Sequence, residues 1–214
     1  MSILRWLTFS AVICLVSACT SGPTPGESGN YAGDLAAFRD SKNSQFASLP
    51  ECGKPQSPDE CSPIPTDRKG ALLPLPYYPI DQSYSVLGSL KMNAQRPVFE
   101  MPTSTGRSRR MQLVGSLHFS LQGQALSLGA FVEEGASRIT SLFVPFADST
   151  TGSETYPAGR YLDLDPTASG YYTIDFNKAY NPYCAYNKTY ECPYPPPSNR
   201  LKVAIRAGEK APGA

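Results

Sequence analysis

The chain has one histidine, His118, in 214 residues, and that scarcity removes most of the chemistry imidazole supports. Mechanisms needing two imidazoles are excluded, and a Ser–His–Asp relay has to pass through this residue alone. No Gly-x-Ser-x-Gly elbow and no His-Glu-x-x-His helix accompanies it, and it falls on the polar side of an alternating segment, where a surface histidine belongs. Phosphate-cradling glycine loops are missing, which argues against nucleotide hydrolysis. An excess of one charge is lacking as well, since 19 basic residues face 18 acidic ones. Without a basic surplus or stripe the chain lacks the electrostatic footprint of a nucleic-acid binder, and no nucleic-acid partner is expected. The one local cluster, Arg107, Arg109 and Arg110, follows Thr103-Ser104-Thr105-Gly106 and reads as a solvated hairpin tip.

A long apolar run occurs only at the start. Ile3–Val16 carries Arg5 as its sole charge, is broken by Thr8 and Ser10, and falls short of the roughly 20 apolar residues that span a bilayer. It stops at Ser17-Ala18, directly before Cys19. Small residues ahead of a cysteine are the pattern of a bacterial lipoprotein signal, so residues 1–18 are expected to be removed and Cys19 to be lipidated with palmitate-type chains. Trimming removes Arg5 and no acid, leaving 18 basic against 18 acidic residues. Thr20 is not the aspartate that retains enteric lipoproteins at the inner membrane, which points to the periplasmic face of an outer membrane.

Cysteine is sparse and spoken for. Cys14 leaves with the signal and Cys19 takes lipid, leaving Cys52, Cys61, Cys184 and Cys192. Outside the cytoplasm four thiols suggest two disulfides, and spacing favours Cys52–Cys61 and Cys184–Cys192 among the three possible pairings. Neither pair has the short gap of zinc ligands, so no metal is expected, nor any cofactor. Asp163 and Asp165 share a strand face, but Pro166 follows and a strand end is the simpler reading.

Residues 19–33 are small, polar and rich in Gly and Pro, a flexible tether. Asp34 then caps a short helix to about Ala47, with Leu35, Phe38 and Phe46 facing the body of the domain. Pro50, Pro55, Pro58, Pro63 and Pro65 make the next stretch an irregular loop. Beyond Tyr78 the period becomes two. Met111, Leu113, Leu117, Phe119 and Leu121 alternate with Gln112, Ser116, His118 and Ser120, a half-buried strand. Other strands are expected at Ser83–Leu90, Arg96–Met101, Ala125–Val132, Arg138–Phe146, Arg160–Leu164, Tyr171–Phe176 and Leu201–Arg206. About eight short strands and one N-terminal helix give an all-β antiparallel sandwich or open barrel, one domain over residues 34–214.

Nine of the 13 tyrosines lie between Tyr156 and Tyr194, interleaved with Arg160, Asp175, Asn177 and Asn181, with Asn199 beyond. Leu142-Phe143-Val144-Pro145-Phe146, Asp148, Thr150, Glu154-Thr155-Tyr156, Gly159-Arg160-Tyr161-Leu162, Asp175-Phe176-Asn177, Ala179-Tyr180-Asn181-Pro182, Cys184-Ala185-Tyr186, Cys192-Pro193, Asn199-Arg200-Leu201 and Ala207-Gly208-Glu209-Lys210 together resemble the uncharacterised bacterial and archaeal family called domain of unknown function 1684. The resemblance runs from about Leu35 to Lys210 and is strongest after Leu142. Ala147 and Ser198 depart from it where charged residues are common. It implies a fold and a signature but no reaction.

Arg160 flanked by carboxylates and amides suits a carboxylate or polyol ligand, with Tyr156 and Tyr180 as walls and Asp175, Asn177, Asn181 and Asn199 as polar partners. The same residues equally make an internal network in which Arg160 pairs with Asp175. The first functional expectation is an envelope lipoprotein holding a small polar or carbohydrate-like ligand. The alternatives are a metal-independent glycan hydrolase drawing on Asp148, Glu154 or Asp175, and a structural or assembly lipoprotein with a protein partner.

Overall fold

The computed structural model describes residues 29–53 and 60–213, so residues 1–18 and Cys19 with the expected signal and lipid lie outside the described residues. α1 (Tyr31–Ser48) starts three residues before Asp34 and takes the end of the expected tether into the helix. Asn30 holds the cap position, and its side chain lies where a Cβ on Gly33 would be, 2.4 Å away. Asp34 therefore does not cap the helix; it sits in the first turn, where a carboxylate favours the positive end of the dipole. Leu35, Arg39 and Phe46 are buried, whereas Phe38 is 45% exposed and does not join the core as expected. Arg39 fastens the helix by donating to the Tyr78 carbonyl at 2.9 Å and the Asn177 carbonyl at 3.3 Å. Leu49 is extended, as the residue before Pro50 must be, and the helix ends.

Cys52 and Cys61 are joined in the loop that follows. A 3-10 turn at Thr66–Arg68 and the four-residue α2 (Lys69–Leu72) give part of the proline-rich stretch regular form. Seven strands then build one antiparallel sheet curled into a half-barrel: β1 (Ser85–Met92), β2 (Val98–Pro102), β3 (Ser108–Leu121), β4 (Gln124–Glu133), β5 (Leu142–Phe146), β6 (Arg160–Leu164) and β7 (Tyr171–Asp175). The order is β6-β5-β4-β3-β1-β7, with β2 paired to the first half of β3. Tyr31, Leu35 and Phe38 of α1 line the space between β6 and β7, beside Leu162, Leu164 and Tyr172.

The eighth expected strand, Leu201–Arg206, is irregular. Its first half keeps two backbone bonds, Leu201 N–H to the Ala147 carbonyl at 2.8 Å and Ser149 N–H to the Val203 carbonyl at 3.0 Å. Side chains take over at Ile205, whose carbonyl accepts from Arg160 at 2.7 Å and whose N–H reaches the Asp148 carboxylate at 3.5 Å.

A bulge at Val114 divides the apolar residues of β3 between two faces. Register slips between Leu113 and Gly115, and one extra residue turns every side chain beyond it to the other face. Val114, Leu117, Phe119 and Leu121 pack in the main core with Leu128, Leu142, Val144, Phe146, Leu162 and Ile174. Met111 and Leu113 instead join Met101, Phe131 and Phe143 in a second cluster. The five apolar residues expected on one face of this strand are thus divided between two. On the neighbouring strands Phe131 of β4 lies opposite Phe143 of β5 in register, and both belong to the second cluster.

Candidate functional site

The residues singled out from the sequence do not converge. Arg160 points into the molecule with 1% exposure; its Nη2 donates to Asp148 Oδ2 at 2.8 Å and the Ile205 carbonyl at 2.7 Å. Its Nη1 donates to the carbonyls of Ala207 and Glu209. The expected Arg160–Asp175 pair is not made, because Arg160 starts β6 on the core side, beside the Asp148 turn. Asp175 ends β7, accepts the Tyr31 hydroxyl at 2.9 Å and caps the turn through Asn177 N–H. Asn177 clasps the Asp81 backbone in both directions, at 2.8 and 3.1 Å. Asn199 reaches Gly129 N–H, the Gly129 carbonyl and the Pro145 carbonyl, fixing β4 beside β5. Asn181 donates to the Lys210 carbonyl. Tyr156 turns toward the Cys184 carbonyl at 3.4 Å. Asp148, Glu154 and Asp175 are also apart: Asp148 holds Arg160, Glu154 holds Arg206 at 2.7 Å, and Asp175 holds Tyr31.

Tyr180 alone of that set lines a cleft of about 970 Å³ on the outer face of β5 and β6. Alternation builds its floor. Leu142, Val144, Leu162 and Leu164 go to the core, so Phe143, Tyr161 and Asp163 face outward, with Phe143 opposite Asp163 in register. Phe143 and Tyr161 meet edge to face at 4.7 Å, and Tyr161 meets Tyr180 the same way at 5.7 Å. α1 supplies one wall through Phe38, Ser41, Lys42 and Phe46. The segment from Tyr180 to Pro193 supplies the other. It is tied to β6 by reciprocal backbone bonds between Tyr161 and Tyr180, and to the β2–β3 turn by Ser104 N–H on the Cys192 carbonyl.

Polar groups sit at fixed points among these rings. Tyr180 donates to Asp163 Oδ2 at 2.5 Å. Asp163 is reached from the cleft, yet burial by the surrounding walls raises its carboxyl above the ordinary value, with the Tyr180 hydroxyl and Lys42 pulling the other way. Lys42 lies 5.0 Å from the Tyr180 ring centre and pairs with Glu209 Oε1 at 2.7 Å. Glu209 is buried and also accepts Tyr186 O–H and Asn181 N–H. Arg107 pairs with Glu191, and Arg109 lies 3.6 Å from Glu133, so the arginine cluster is partnered. Tyr190 is buried, and its hydroxyl meets no partner among the described residues.

Cys184 and Cys192 lie beside this cleft as two buried thiols and not as the expected second disulfide. Cys184 N–H donates to Cys192 Sγ at 3.1 Å, and the Tyr156 hydroxyl reaches Cys184 Sγ at 3.8 Å. The Cys192 thiol lowers Cys184 to about 7, helped by the Tyr156 hydroxyl and Ser104.

Phe38, Lys42, Phe143, Asp163 and Tyr190 were not read from the sequence as site residues. A usable signal exists for Phe143 alone: Leu142–Phe146 is apolar throughout, which marks a strand covered on both faces.

Residues 72–210 match the family model described as "Protein of unknown function (DUF1684)". The chain is similar to an uncharacterised protein of Haloarcula marismortui whose solution NMR structure is known, at 36% identity over 85% of this chain and 94% of that one, with a TM-score of 0.63. Among curated proteins none matches.

Proposed function

We propose, from the premise that this chain belongs to the DUF1684 family of proteins of unknown function, that it is an envelope lipoprotein holding a small polar or carbohydrate-like ligand in the cleft under α1. The observation that carries the reading is the lining itself. Rings of Phe143, Tyr161, Tyr180 and Tyr183 line the cleft with Asp163, Gln45 and Tyr190, whose hydroxyl meets no partner among the described residues. Sugars present apolar C–H faces and a rim of hydroxyls, and such a lining matches both. The Tyr190 hydroxyl is closed to solvent, so a ligand oxygen pairs with it only if the ring turns toward the cleft; leaving it unpaired costs about 1–3 kcal/mol, which that contact would recover. Binding pockets combine apolar walls with a few placed polar groups in this way.

Placement in the envelope rests on the Ile3–Cys19 run and on Thr20. Incorporation of labelled palmitate into the native protein, abolished in Cys19→Ser, is the expected result. Label in the variant overturns the anchor.

Ligand binding is tested by thermal shift of the full-length protein in detergent against a panel of neutral and acidic sugars. A ligand at 100 times its dissociation constant stabilises by about 2.7 kcal/mol. The shift is expected to fall in Tyr190→Phe and to vanish in Tyr180→Ala. A panel without any shift, or shifts unchanged in both variants, rejects the reading.

A further inference from the structure

Asp163 lines three depressions, not one. A second, of about 480 Å³, shares Phe38 and Asp163 with the main cleft and runs between α1 and the β6–β7 opening, past Asp165, Thr167 and Lys178. A third, of about 350 Å³, shares Arg109, Phe143 and Asp163 and continues over β4 and β5, past Thr140, Ser141 and Arg138. The shared residues make the three depressions neighbours along one face, with Asp163 common to all and the two smaller ones leading away on two sides.

We infer that the groove takes a linear glycan of several units, threaded across the outer face of β5 and β6, with one unit over Asp163 and others on either side. This deepens the binding reading above and rests on it. Size is the first argument. Pockets for one small ligand occupy about 300–1,000 Å³, which the central cleft already meets, so each flanking depression is room for more of the same molecule. Spacing of ring faces is the second. Phe38 stands at one junction and Phe143 at the other, with Tyr161 and Tyr180 between, a platform repeated along the path.

Charge is the third argument. Acids dominate one end, where Asp34, Asp165 and Asp175 face Lys178. Arginines gather at the other, where Arg109 and Arg138 face Glu133. A groove with both signs is poorly matched to a polyanion and suited to a neutral chain of hydroxyls. An extended peptide is the competing polymer. Peptides gain most from unpaired strand edges. The central cleft and the third depression lie over the face of β4, β5 and β6, where β5 pairs on both sides and Tyr161 of β6 is bonded to Tyr180, and only the second depression passes the end strands β6 and β7.

The test is calorimetric titration of the full-length protein in detergent with N-acetylglucosamine oligomers of one to six units. Affinity is expected to rise at least tenfold from monomer to tetramer. Lys178→Ala and Arg138→Ala, which touch only the flanking depressions, should lower tetramer affinity several-fold and leave monomer affinity unchanged. Equal affinity for monomer and tetramer overturns the extended groove and leaves the small-ligand cleft standing. Absence of binding at every length overturns both. Tighter binding of an extended Gly-Ser-Tyr peptide than of the tetramer rejects the glycan in favour of a polypeptide.

Discussion

Arg160 and Asp148 face each other at 2.8 Å with side-chain exposures of 1% and 0%, and together they organise the C-terminal segment. The guanidinium gathers the carbonyls of Ile205, Ala207 and Glu209, which no strand partner takes. Asp148 in turn accepts Thr150 N–H at 2.7 Å and holds its own turn. Removing one member of a buried pair leaves a desolvated charge behind, at about 3–5 kcal/mol. Arg160→Ala is therefore expected to lower unfolding free energy in urea by that amount. Loss below 1 kcal/mol would show that Arg160 is not structural.

Gly208 permits this wrapping. Its φ is +77°, and a Cβ there would meet the carbonyl oxygens of Ala179 at 2.6 Å and Phe176 at 2.7 Å. Both neighbours are backbone and cannot rotate away. Its own carbonyl accepts from Tyr78 N–H at 2.9 Å. Gly208→Ala is expected to cost at least about 1–3 kcal/mol, the range for a side chain forced into left-handed backbone. Because Glu209 follows directly, the variant should also loosen Lys42, read as faster amide exchange in α1. Unchanged melting and exchange would contradict the strain.

The thiols Cys184 and Cys192 are placed to oxidise. With Cys184 lowered to about 7, a large share is thiolate at pH 7.5, and thiolate is the attacking form. Incubation with oxidised glutathione is expected to yield a mixed disulfide at Cys184, then a Cys184–Cys192 bond with release of reduced glutathione and a net loss of two hydrogens from the protein. The rate should fall about tenfold per pH unit below 7. Closing this loop would add about 2.5 kcal/mol on the chain-entropy model. Mass spectrometry after alkylation checks both steps; two alkylated thiols after prolonged oxidation would rule the bond out.

The strand periods were legible because alternation is a local property, and six of the seven strands lie within a few residues of their expected places. β5 starts at Leu142, four residues after the expected Arg138, because residues 138–141 join no strand ladder although their sequence continues the apolar alternation. The Val114 bulge was not legible. Nothing local distinguishes Leu113 from Leu117, yet one inserted residue sends them to opposite faces, Leu117 to the main core and Leu113 to the cluster with Phe131 and Phe143. The site was misplaced for a related reason. Arg160, Asn177, Asn181 and Asn199 look like ligand groups in a list, but what they bind is backbone from distant segments. The rings that do form the cleft, such as Phe143, look like ordinary core residues until the sheet is assembled.

Asp163→Asn separates stability from binding. The wild-type carboxyl is open to the cleft but partly desolvated by its walls, which raises it, so its ionised form carries a small cost to the fold. As pH falls through that raised value, the folded chain takes up a proton before the unfolded chain does, and wild-type stability rises. Below the ordinary aspartate value of about 3.9 both states are protonated and the cost is gone. Asparagine carries no charge at any pH, and its Oδ1 still accepts the Tyr180 hydroxyl. The variant is therefore expected to melt above wild type at pH 7.5, with the gap closing by pH 3.5. Sugar-induced stabilisation should fall in the same variant, because the polar centre of the groove has lost its charge-assisted bonds. Greater stability with weaker binding is the pattern of a site residue kept at a cost to the fold. A variant that melts below wild type at pH 7.5 would instead make Asp163 a structural partner of Tyr180 and remove it from the groove's chemistry.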